Sequence, residues 1–203
     1  MSGEVNRVHV WWAYLTLAQS GLHAYVSPAE SERASSYRSP ADQGRSLVAA
    51  ALLRIAASDA LDLDASAIRV DRRCHECGRP HGKPRIDGIN VSVSHAGLLV
   101  AVATAPIPVG IDVERVADLT RSGHDGGIDQ WCAAEARTKL GDCDTVTCQE
   151  LTAPMAGYGA CLAVAAARPA QLVLHDPAAS ARAVQRLGHR DRCTESGDDH
   201  GGR

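Results

Sequence analysis

Val91-Ser92-Val93-Ser94-His95-Ala96-Gly97-Leu98-Leu99-Val100-Ala101-Val102-Ala103-Thr104 is the stretch whose reading decides the fold. Valine and serine alternate from Val91 to Ser94, the period of a strand. Leu98 to Thr104 is apolar. The two runs meet at His95-Ala96-Gly97, so the stretch reads as a hairpin. A short Pro-containing link leads to a further strand, Val109 to Glu114. Upstream, Arg7 to Tyr14 is rich in Val and Trp and also reads as a strand. Two helix starts lie between these strands. Ser27-Pro28-Ala29-Glu30 has a capping serine, Pro at the first helical position and Glu to close the box. Ser39-Pro40-Ala41-Asp42 repeats that design, and its helix runs to about Ala60, with Val48, Leu52, Ile55 and Ala56 at helical spacing. Asp71 to Gly88 is polar and rich in Gly and Pro, hence a loop. Downstream, Arg121 to Gly127 reads as a loop and Ile128 to Leu140 as a helix ended by Gly141. Gly157 to Ala166 and Gln171 to His175 read as a second hairpin. A last helix starts at Asp176-Pro177 and runs to about Leu187.

The order is strand, helices, hairpin, then strand, helix, hairpin, helix. It predicts an α+β fold in two similar halves, residues 1–106 and 107–187, with a disordered tail over 188–203. A chain of 203 residues suits two small, tightly joined units. Phe is absent, so Leu, Val, Ile and Ala must fill the core. A net charge of −3 and a pI near 6.3 argue against a general nucleic-acid binder. No apolar run of about 18 residues is present, so no membrane span is expected. Met1 to Arg7 lacks the basic-then-apolar plan of a signal peptide, so a cytoplasmic location is expected. The seven cysteines are then free thiols for the most part. Cys74-His75-Glu76-Cys77 with His81 makes part of a zinc site, but a closed site needs four ligands and no second CxxC follows. The plainer reading is a turn that carries thiols, and the sharper one is a small zinc-stabilised interaction domain.

Several residues carry candidate chemistry. Asp112 and Glu114 are two apart on a strand and project to one side, where a divalent cation would relieve their repulsion. Trp131, Glu135 and Lys139 share one helix face; such a Glu–Lys pair is usually a surface ion pair, but the tryptophan turns that face inward and toward a cleft. Gly82-Lys83-Pro84-Arg85 is a loop with two cations. Ser92, Ser94 and His95 end a strand with groups that suit phosphate oxygens. Arg45 sits near a helix N-terminus, a ready place for a phosphate.

In series, Gly82-Lys83-Pro84, Val91-Ser92-Val93-Ser94-His95, Val109-Gly110-Ile111-Asp112-Val113-Glu114 and Trp131-x-x-x-Glu135-Ala136-x-x-Lys139 resemble the surfactin-type 4'-phosphopantetheinyl transferase family. Asp42-x-x-Arg45 resembles the family's early helix, and the likeness runs from about Val10 to Leu174. The resemblance implies two pseudo-symmetric α+β halves, each a small antiparallel sheet packed on a helix, with coenzyme A in the cleft between them. It implies Mg²⁺ on Asp112, Glu114 and Glu135. Arg45, Lys83, Ser94 and His95 would contact the phosphates of coenzyme A, with Arg33 on the 3'-phosphate side. Glu135 would be the base and Lys139 would stabilise charge on the pyrophosphate. The implied partner is an acyl or peptidyl carrier protein, and the implied state a monomer.

Two departures stand out. Ala134 replaces the lysine that the family places before the helix glutamate. Residues 115–130 are glycine-rich and short where relatives carry another helix, and Leu151 to Tyr158 is trimmed. These departures keep open a degenerate homologue that binds coenzyme A or a carrier protein without transfer.

Overall fold

The computed structural model describes residues 6–19, 21–74, 76–122 and 127–194, with side chains to residue 186. Along the chain run β1 (Arg7–Tyr14), α1 (Pro28–Ser35), α2 (Pro40–Leu61), β2 (Asn90–Ala96), β3 (Leu99–Ala105), β4 (Val109–Arg115), α3 (Val116–Arg121), α4 (Ile128–Leu140), β5 (Thr147–Glu150), β6 (Tyr158–Val164), β7 (Gln171–His175) and α5 (Pro177–Thr194). The strands form two sheets, ordered β2-β3-β1-β7 and β4-β6-β5.

Alternation along the strands sets the layering, because successive side chains leave a strand on opposite faces. From β1, Trp11 and Ala13 join a core with Val48, Leu52 and Ile55 of α2, while Val8, Val10 and Trp12 join a second core. β3 splits in the same way, Val100 and Val102 toward α2 and Leu99, Ala101 and Ala103 away from it. The second core is completed by Val109, Ile111 and Val113 of β4 and Leu162 and Val164 of β6. A third, smaller core joins Cys132, Ala136 and Leu140 of α4 to Cys161 and Ala163 of β6. The layers are therefore α2, first sheet, second sheet, α4. β3 is covered on both faces, and all seven of its residues are buried, which explains its unbroken apolar sequence.

The α+β class and the two sheet-on-helix layers follow the sequence reading, with four differences. First, Gln171–His175 does not form a hairpin with β6. Both edges of β6 are taken, by β4 and β5, and β7 crosses back to lie parallel to β1, with His9 opposite Val173. α5 follows it, and its Ser180 hydroxyl donates to the Trp12 carbonyl at 2.7 Å. The C-terminal segment of the expected 107–187 half thus belongs to the first sheet, which is mixed rather than antiparallel. Second, that helix continues through Thr194 instead of stopping near Leu187; the rest of the tail lies outside the described residues. Third, Val116–Arg121 is helical where the sequence suggested a linker without a helix; part of the expected loop, residues 123–126, lies outside the described residues. Fourth, Thr147–Glu150 pairs with β6 as a short polar edge strand that its sequence did not signal.

The helix starts differ from each other. Ser27 and Glu30 form the full capping box expected, whereas Ser39 makes no side-chain cap and Asp42 pairs with Arg45 instead. Glu30 also carries a tertiary role. Its Oε2 accepts from Arg54 Nε at 3.0 Å, and both residues are buried, so α1 is clamped to α2 by an ion pair inside the protein.

Candidate functional site

The first and second sheets meet edge on at β2 and β4, and two serines make the join. The Ile111 N–H donates to Ser92 Oγ at 3.0 Å and the Val113 N–H to Ser94 Oγ at 3.2 Å. Small hydroxyls thereby satisfy alternate amides of β4 that have no ladder partner on that side. Val91 and Val93, on the other face of β2, pack into the α2 core. This explains the valine–serine alternation: one face fills a core and the other caps a neighbouring strand.

On β4 the same alternation sends Ile111 and Val113 to the core between the sheets. Gly110, Asp112 and Glu114 fall on the opposite face, under α4. A Cβ on Gly110 would sit 2.0 Å from the Ala136 carbonyl oxygen and 2.6 Å from the Leu140 nitrogen. Only glycine allows α4 to lie this close. The close seating brings Lys139 Nζ to 2.6 Å from Asp112 Oδ1 and 2.8 Å from Ser94 Oγ. Ser94 Oγ in turn donates to Asp112 Oδ1 at 2.9 Å. A hydroxyl has one proton and two lone pairs. Ser94 spends all three, on Asp112, Lys139 and Val113, so the phosphate contact expected of it has no free valence here.

Asp112 is 2% exposed, and its second oxygen, Oδ2, is buried with no hydrogen-bond partner. The Cys132 thiol beside it is pushed well above its ordinary range, first by burial and then by the Asp112 charge. Glu114 is raised above the ordinary glutamate value by burial, then by Asp112, with Glu135 adding to the effect. Asp112, Glu114 and Glu135 line one cleft of about 510 Å³. An orphaned buried carboxylate oxygen with two further carboxylates in the same cleft is the kind of all-oxygen donor set a hard divalent cation such as Mg²⁺ takes, although the three do not bring one ligand atom each within 4.8 Å of one another.

Cations line the same cleft. Arg33, Arg72, His81 and Lys83 do so, together with Tyr37 and Glu30. The Arg72 Nε is buried without a partner, and burial, then repulsion from Arg33, holds its pKa below the usual arginine range. Arg33 donates to the Pro80 carbonyl at 2.9 Å. Lys83 Nζ reaches the Val109 and Leu140 carbonyls at 3.3 and 3.4 Å, bridging the start of β4 and the end of α4, and burial lowers its pKa.

The other expected residues are placed less uniformly. His95 lines the cleft with an exposed side chain; crowding around its ring, then the Arg45 charge, lowers its pKa. Arg45 does not line the cleft, and its guanidinium holds the Gly97 carbonyl at 2.8 Å and the Asp42 carboxylate. It supports the β2–β3 turn that follows His95. That turn needs Gly97, with φ +51° and its Cα packed against the Tyr158 hydroxyl. Trp131 does not line the cleft either, whereas Glu135 and Lys139, one and two turns further along α4, do.

Sequence reasoning missed Arg72 and the tertiary role of Glu30. Arg72 is brought into the cleft by a long-range pairing, its carbonyl accepting from the Gly82 N–H at 2.8 Å. The one signal available was the density of arginines at positions 69, 72 and 73.

With this geometry in place, comparison with known families is informative. The family model described as 4'-phosphopantetheinyl transferase, N-terminal, matches residues 12–107. No curated protein matches the chain. The matched stretch covers the last three residues of β1 and all of α1, α2, β2 and β3, together with Arg33, Arg72, His81 and Lys83 of the cleft, and it ends before β4. Among the described residues no helix is long and apolar enough to cross a membrane.

Proposed function

We propose that this chain, a member of the 4'-phosphopantetheinyl transferase superfamily by its residues 12–107, moves the phosphopantetheine arm of coenzyme A onto a serine of an acyl or peptidyl carrier protein. Such a protein is a holo-[acyl-carrier-protein] synthase. The observation that carries this reading is the lining of the cleft, three carboxylates together with Arg33, Arg72 and Lys83. Coenzyme A has a matching pattern, a pyrophosphate that binds Mg²⁺ and a separate 3'-phosphate that needs cations.

In this reading Asp112, Glu114 and Glu135 hold Mg²⁺, with Asp112 Oδ2 the oxygen most in need of a partner. Bound Mg²⁺ supplies charge neutralisation at the pyrophosphate. Arg33, Arg72 and Lys83 fix the nucleotide end, and His95 faces the phosphates from the cleft wall. Ser94 and Arg45 position these groups rather than bind them. The carrier serine oxygen forms a bond to the phosphorus that bears pantetheine, and the bond from that phosphorus to the oxygen of 3',5'-ADP breaks. Glu135 accepts the serine proton. Lys139 balances the charge that moves onto the leaving nucleotide. Apart from Glu135, every residue here positions or neutralises, which is most of what phosphoryl transfer asks of a protein.

The test is intact mass of several apo-carrier proteins after incubation with the chain, coenzyme A and Mg²⁺. A gain of one phosphopantetheine group supports the proposal, and Glu135→Ala should abolish it. Tight coenzyme A binding with no gain on any carrier would replace it by the non-catalytic reading that Ala134 raises.

A further inference from the structure

We infer that residues 71–85 form a metal-pinned finger, in which Cys74, Cys77 and His81 bind one zinc ion. Among the described residues these three offer ligand atoms that all lie within 4.8 Å of one another. Cys77 Sγ and His81 Nε2 are 2.9 Å apart. A tetrahedral zinc with Zn–S near 2.3 Å and Zn–N near 2.0 Å separates its ligands by about 3.5–3.8 Å. The cluster therefore needs shifts of less than about 1 Å to accept the ion.

The backbone around the cluster is already folded for this. The Asp71 and Arg85 amides and carbonyls pair reciprocally at 2.9 and 2.8 Å, and Gly82 N–H donates to Arg72 O at 2.8 Å. At the tip, Cys74 N–H donates to Arg79 O and Gly78 N–H to Cys74 O, both at 2.9 Å. Gly78 takes φ +69°, the left-handed conformation that closes the turn after the second cysteine. Two thiols on a tight turn and an imidazole on the returning arm form a borderline-soft ligand set, unlike the all-oxygen set under α4. Water fills the fourth position.

The finger has little other support. Arg73, Glu76, Cys77, Arg79, Pro80 and His81 are exposed, and α1 reaches them through Arg33, which donates to the Pro80 carbonyl at 2.9 Å. Yet one arm presents Arg72 and the other presents Lys83 to the cleft. A zinc ion at the tip holds the two arms in register and so positions both cations. This consequence rests on the proposed function, whereas the zinc site does not.

The full-length chain, purified without chelators, is expected to contain about one zinc per chain, the ratio of a single three-ligand site. Replacing zinc with Co²⁺ should give a thiolate-to-cobalt charge-transfer band, absent from Cys74→Ser/Cys77→Ser. Tryptic cleavage after Arg73 should rise about tenfold after chelation, the change expected when a ligand at ten times its Kd is removed. No zinc retained after reconstitution and no cobalt band would overturn the inference. So would a Cys74–Cys77 disulfide found by peptide mapping of the untreated chain. If the metal is present but carriers stay unmodified, only the transferase reading fails.

Discussion

Gly110→Ala tests the seating of α4 on β4, on which the site depends. The added methyl would lie 2.0 Å from the Ala136 carbonyl oxygen, where ordinary contact begins at 3.4 Å, so a gap of about 1.4 Å must open. The strand cannot supply it. β4 is held on one side by its ladder with β6 and on the other by Ser92 and Ser94, and Val109, Ile111 and Val113 are fully buried beneath it. The displacement therefore falls on α4. Moved away by that amount, Lys139 Nζ would go from 2.6 Å to about 4.0 Å from Asp112 Oδ1, the outer limit of an ion pair. Overpacking costs about 1–3 kcal/mol, and a buried Asp112 left without its cation adds to it, so a total near 3 kcal/mol is expected. Urea unfolding followed by tryptophan fluorescence gives this value by linear extrapolation. A stability within about 0.5 kcal/mol of the unsubstituted chain would refute the argument that α4 rests on Gly110.

Three further outcomes follow. Mg²⁺ at ten times its Kd should stabilise the chain by about 1.4 kcal/mol, a rise of roughly 3–6 °C in Tm, and Asp112→Asn should remove that rise in a thermal-shift titration. Without divalent ions, Glu114 binds its proton more tightly folded than unfolded, so its contribution is complete below the ordinary glutamate pKa and disappears as pH rises through the raised value. His95 runs the opposite way, losing stability as pH falls through its lowered value. Comparing Tm against pH for Glu114→Gln and the unsubstituted chain isolates the glutamate; an identical slope would mean that Glu114 is not perturbed. Arg54→Ala strands the buried Glu30 carboxylate and should cost about 3–5 kcal/mol, while adding Glu30→Gln should recover part of it; additive losses in the double-mutant cycle would show that the pair is not coupled.

What was legible in the sequence was mostly local. The strands at 7–14 and 109–115 and the helix ending at Gly141 carry their own periodicity and caps, and they stand where the residues place them. The carboxylates were legible for the same reason: Asp112 and Glu114 share a strand face, and Glu135 and Lys139 a helix face. β7 was assigned correctly as a strand but to the wrong neighbour, because a five-residue apolar run does not state which edge is free. The short edge strand at Thr147–Glu150 has no apolar alternation to detect. Ser94 lines the cleft, and its bonds to Asp112, Lys139 and the Val113 N–H were not legible. A hydroxyl beside a phosphate and a hydroxyl beside an aspartate and a lysine look alike until its three hydrogen bonds are counted.

The carboxylates and the cations of the cleft stand on different elements, and this bears on what each can do. The carboxylates stand on β4 and α4, whose seating is fixed by Gly110 and by the serine joins. Rigid placement of that kind is what positioning catalysis needs, since a displacement of about 1 Å costs much of the rate. Arg33 stands on α1, and Arg72 and Lys83 on the two arms of the finger, whose tip is exposed. Cations that anchor a phosphate tolerate more freedom, because charge attraction falls gradually with distance. Ala134 fits the same division. It is exposed and does not line the cleft, so its change from lysine leaves the carboxylate set on β4 and α4 unaltered. On the proposed reading, the carboxylates of β4 and α4 would hold the cation, and Ala134 lies outside that set.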